Sequence, residues 1–130
     1  MRARLRGRRA DDGTGWLLMP GSDQLALLRR CTEAFRTAMP DREQREFVLG
    51  ECGESLPALF AADPVAAAEA GLPMTEDGLR AAHTLLVTLL ALIPSEQAFM
   101  ERTGHYRDHT AMVAHGLRRG FAAPPSDRGR

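Results

Sequence analysis

The stretch that decides the fold is GLRAAHTLLVTLLALI, from Gly78 to Ile93. It is apolar on almost every helical face, so it reads as a helix that must be wrapped by other helices or by a partner subunit. Its unbroken apolar part, Leu85 to Ile93 with Thr88 the sole interruption, falls far short of the ~20 residues a membrane span needs. Arg80 and His83 lie upstream and Pro94 closes it. Thr75 stands where an N-cap belongs, which sets a central helix at about 76–93.

Working outward, the rest of the chain reads as helices and short turns. Ser22 or Asp23 caps a first helix to about Met39, with Leu25, Leu28, Thr32, Phe35 and Met39 as its buried stripe. Pro40 ends it, and Asp41 caps a second helix, DREQREFVLG. Ser55 before Leu56-Pro57, Asp63-Pro64 and Ser95 mark further helix starts, and Gly71, Gly104 and Gly120 mark ends. A last helix runs from about Tyr106 to Arg119. No stretch reads as a strand. The expected fold is all-α, an irregular bundle of about five to six helices around the central one. The domain limits are 1–21 as a flexible Arg-rich leader, 22–121 as one helical domain and 122–130 as a disordered tail.

Composition bounds the function. The 130 residues contain no lysine and no asparagine, so all 17 cations are Arg. Such bias follows from a GC-rich genome and points to a bacterial source. Net charge is zero, but residues 1–21 carry +3, residues 22–93 carry −5 and residues 94–130 carry +2. An acidic body with basic ends does not suit a protein that coats nucleic acid. Without an export signal, Cys31 and Cys52 read as reduced packing residues of a cytoplasmic protein.

Four places bear on chemistry. SEQAFMERT-GHY-RDHTAMVAHGLRR resembles a helix-turn-helix, with residues 95–119 reading DNA through Arg107, His109, Arg118 and Arg119. It departs from that pattern where Met100 replaces a small residue and His105 an apolar one. His105 and His109 are four apart, the spacing of two imidazole ligands on one helix turn, and His83 is the third histidine that could complete a metal site. LGECGESLPAL resembles the attachment segment of acyl and peptidyl carrier proteins, which implies phosphopantetheine on Ser55; Glu54 and Pro57 depart from that pattern. Cys52 lies between Glu51 and Glu54, which disfavours a thiolate. No residue set supports enzyme activity, and no cofactor is implied.

The leading expectation is therefore a small non-enzymatic interaction or regulatory module. Its partner is another protein or a second copy, met through Leu79, Leu86, Leu90 and Ile93 on one face of the central helix. DNA reading by residues 95–119 ranks second and a metal site at His105/His109 third.

Overall fold

The computed structural model describes residues 5–122 apart from 12 and 14, and the backbone alone for 119–122. Within these limits the chain is mostly helical, with a small three-stranded sheet. The order is β1 (Arg6–Arg9), β2 (Trp16–Met19), α1 (Ser22–Ala38), α2 (Arg42–Leu49), a 3₁₀ turn (Glu51–Ser55), α3 (Leu56–Phe60) and α4 (Pro64–Ala70). Then follow β3 (Leu72–Met74), α5 (Glu76–Leu92), α6 (Glu96–Thr103) and α7 (Arg107–Ala122).

Local chemistry explains most helix starts. The Thr75 hydroxyl accepts from the Gly78 amide at 2.9 Å, Ser95 accepts from Ala98 at 3.2 Å and Asp63 accepts from Ala66 at 3.0 Å. Each satisfies one of the amides that a helix start leaves without an intrahelical partner. The first helix differs from expectation, because Gly21 is its N-cap and the Gln24 side chain accepts from the Gly21 amide at 2.7 Å.

The central position of α5 follows from its apolar faces. It packs against α1, α2, α7, the 3₁₀ turn and β3, and Leu79, Leu85, Leu86 and Leu89 are buried. The core around it draws Leu25, Leu28 and Phe35 from α1, Phe60 from α3, Phe99 from α6 and Leu117 from α7. Buried threonines cost little here. Thr32, Thr103 and Thr110 each donate to the carbonyl four residues earlier, at 2.6, 2.8 and 3.1 Å.

The sheet qualifies the all-α expectation, and two of its strands, Arg6–Arg9 and Trp16–Met19, lie within the segment read as a leader. The order is β1-β2-β3, antiparallel throughout. Trp16 pairs with Met74 and Leu18 with Leu72, and all four are buried. Residues directly opposite share a face, so these four form the inner face of the sheet. Burial of Trp16 and Leu18 ties this segment to the core, and β1 then pairs along β2. Leu5, just ahead of β1, rests on α7 at Gly116, where an added Cβ would come within 2.8 Å of the Leu5 Cβ. The tail after residue 122 lies outside the described residues.

Candidate interaction surface

The structure commits Arg107, one of the arginines that looked available for binding. Arg107 opens α7, but one guanidinium nitrogen donates to the Leu90 and Ile93 carbonyls at 2.7 and 2.6 Å. Its charge also lies 5.7 Å from the centroid of the Phe99 ring. Arg29 likewise donates to the carbonyls of Phe60 and Ala62, at 3.0 and 3.1 Å. A guanidinium on carbonyls at a helix end satisfies acceptors that have no intrahelical partner and complements the helix dipole. His109 is buried as well. Two of the four residues assigned to DNA reading are thus engaged or buried within the chain. Arg118 is exposed, and the Arg119 side chain lies outside the described residues.

The turn between α6 and α7 matches its expected geometry. Gly104 takes the left-handed conformation at φ 76°, and the His105 amide donates to the Thr103 hydroxyl at 3.1 Å. His105 and His109 do come together, with ring centroids 5.9 Å apart and a 56° tilt. His83 does not join them. It lies beside Arg118, and burial followed by that positive charge holds its imidazole below the ordinary value. Helices α5 and α7 run antiparallel, with the end of α5 at Arg107, so His83 and Arg118 belong to the opposite end of the pair. The expected triad of His83, His105 and His109 is therefore split. Among the described residues no group of three His, Cys, Asp or Glu side chains could hold a metal ion.

The proposed central-helix interface is also corrected. Leu79, Leu86 and Ile93 are buried within the chain and Leu90 is half-buried. The long helices α7 and α1, with α2, the 3₁₀ turn and β3, cover what the sequence left open. The exposed apolar residues of α5 are instead Val87 and Leu92. No described helix is long and apolar enough to cross a membrane.

Ser55 stands at the N-cap position of α3, as expected, but its side chain accepts from no α3 amide. Its hydroxyl donates to the Cys52 carbonyl at 2.8 Å and closes the 3₁₀ turn. Cys31 is buried, and burial pushes its thiol up to about 12. The thiolate is thus a negligible fraction at neutral pH, consistent with a packing role.

One surface is built differently. Arg45, on the inner face of α2, forms a two-pronged ion pair with Glu54, Nε to Oε2 at 2.9 Å and Nη2 to Oε1 at 3.2 Å. Its remaining nitrogen donates to the carbonyls of Met39 and Pro40 at 3.1 and 2.7 Å. One guanidinium thereby ties α2 to the end of α1 and to the 3₁₀ turn. On the outer face of the same helix Phe47 is 92% exposed. Glu43 precedes it by four residues on the same helix face and is exposed; Glu51, in the 3₁₀ turn beyond Gly50, is exposed as well. The sequence reading passed over Phe47, although its placement within an otherwise charged helix was a visible signal.

The lock carries a pH signature. The hydrogen bond from Arg45 holds the Glu54 carboxyl below its ordinary value, with burial opposing. A depressed carboxyl stabilises the fold above the unfolded value, about 4.3, and that contribution is lost as pH falls through the folded value. The stability advantage of the wild type over Glu54→Gln is thus expected to be constant from about pH 7 to 5 and to shrink below about pH 4. Urea unfolding at stepped pH measures it, and an unchanged gap at low pH would refute the lock.

Compared with known proteins, the chain matches no family model, no curated protein and no solved structure.

Proposed function

We propose that the chain is a protein-interaction module rather than an enzyme, and that α2 is its contact surface. The observation that carries this reading is Phe47, a large aromatic side chain 92% exposed on a helix fixed from behind by Arg45. Burying a Phe side chain is worth about 1.5–3 kcal/mol, a gain this fold leaves unrealised. Aromatic anchors on rigid elements dominate binding energy because little ordering entropy is lost on contact.

The rim argues for a different protein rather than a second copy. A two-fold contact centred on Phe47 brings the Glu43 carboxylates of both copies to the same small patch, which is repulsive. A partner pocket that is apolar at its centre and basic at its edge fits instead.

The test is a photo-crosslinking phenylalanine analogue at position 47, with position 65 as the control. Val65 is also exposed, on α4. A discrete adduct at 47 and not at 65 is expected, and Phe47→Ala should compete poorly for it. That variant should unfold within about 0.5 kcal/mol of the wild type, as exposed substitutions do. An adduct of twice the 14.2 kDa chain mass would replace the partner with a second copy. Equal labelling at 47 and 65 would end the reading.

A further inference from the structure

We propose that the outer edge of β1 accepts an extended acidic segment of a partner protein as a fourth strand. The observation is the ordering of the arginines. Arg6, Arg8 and Arg9 belong to a strand that pairs on one side, with β2; among the described residues no strand pairs with its other edge. All four residues of β1 are exposed. An edge of this kind offers backbone donors and acceptors to an added strand.

The register separates the arginines by role. Arg9 is opposite Trp16, on the inner face, and its guanidinium lies 5.3 Å from the Trp16 ring centroid while donating to the Gly13 carbonyl at 2.9 Å. Arg6 and Arg8 are opposite Met19 and Leu17, on the outer face. They stand two residues apart, so both project to the same side of the strand. Arg8 meets Asp11 at 3.0 Å, but both side chains are more than half exposed. Such a pair is worth about 0–1 kcal/mol and exchanges readily for another carboxylate.

The occupant follows from charge. A second copy of β1 would set Arg against Arg across the new ladder, which is unfavourable. A strand with carboxylates at alternate positions instead places one opposite each of Arg6 and Arg8. Its backbone completes the edge, and its remaining residues are free to vary. This surface shares with α2 only the premise that the chain works by contact. Phe47 takes no part in it, so Phe47→Ala is the control that separates failure of one from failure of the other.

The single tryptophan makes the edge observable, since Trp16 lies on β2 beneath Arg9. The full chain is titrated with a peptide of alternating Glu and Val, reading Trp16 emission and amide exchange along β1. Three comparisons accompany it: a Glu/Pro peptide of equal charge, a Lys/Val peptide and single-stranded oligothymidine. Saturable, salt-sensitive binding of the Glu/Val peptide is expected, with new protection of β1 amides and affinity at least about tenfold above Glu/Pro. The variant R6E/R8E changes exposed side chains only. It should retain the native Trp16 emission, lose at least about tenfold in Glu/Val affinity and gain binding of Lys/Val. No saturable change up to about 1 mM peptide, equal binding of Glu/Pro, or tighter binding of oligothymidine would each overturn the proposal. So would a variant that keeps native emission and binds Glu/Val as the wild type does.

Discussion

Leu86→Ala is expected to cost about 3–5 kcal/mol of folding stability and to leave the mass of the native protein unchanged. The side chain is 1% exposed, in the middle of the helix that most of the core contacts. Truncation there removes the transfer energy of the lost carbons and leaves a cavity that a rigid helix on several sides cannot close. Against a total stability of about 5–15 kcal/mol this is a large share. Val87, one residue on, is 45% exposed. Its alanine variant should fall within about 0.5 kcal/mol of the wild type, so the pair of measurements reads the orientation of α5 directly. Urea unfolding and analytical ultracentrifugation decide the matter. A Leu86→Ala protein that keeps its stability but halves its mass would return Leu86 to a subunit interface.

The sequence made α5 easy to find because its signal is local. A cap at Thr75, an apolar run and Pro94 are all read within one segment, and the observed helix ends within one residue of the expected limit. The sheet was hidden because its causes are distant. WLLM is apolar on both faces, so no alternation marks it as a strand, and RGRR has no apolar residue at all. Their pairing depends on Leu72 and Met74, more than fifty residues away, and on a strand that contains Pro73. The one local hint was DDGTG between the two segments, a turn composition of the kind that joins hairpins. Read with Trp16 as a core residue, it would have marked the β1–β2 hairpin.

The arginines misled for a related reason. In a chain without lysine, charge alone cannot distinguish a binding cation from one that holds helices together. Arg29, Arg45 and Arg107 each donate to backbone carbonyls at or just beyond a helix end, and Arg45 does so while paired with Glu54. The fork of the guanidinium suits this task, because it can reach two acceptors at once with little ordering cost. None of the three has its acceptors within four residues in sequence, so helix-face patterns could not reveal them. The same logic exposes Phe47 and β1. Once the inward arginines are accounted for, the outward Phe47 and the paired outward cations Arg6 and Arg8 stand out among the exposed side chains a partner could read.

Arg107 gives the sharpest test of this division. Replacing it with Met keeps much of the stem but strands the Leu90 and Ile93 carbonyls at the end of α5 and removes the charge over Phe99. Hydrogen bonds to a charged donor are worth about 1.5–3 kcal/mol, and the two here share one nitrogen, so they do not add in full. With the helix-end charge included, a loss of about 2–4 kcal/mol is expected. Arg107→Lys should recover only part of it, because one ammonium lacks the planar fork and is more strongly hydrated. Arg118→Ala, at an exposed site on the same helix, should cost less than about 0.5 kcal/mol. A DNA-reading arginine behaves in the opposite way, losing salt-sensitive duplex affinity while the fold keeps its stability. If Arg107→Met unfolds with the wild type and duplex binding at low salt disappears with it, the last helix is a recognition helix after all, and α7 rather than α2 is the surface that matters.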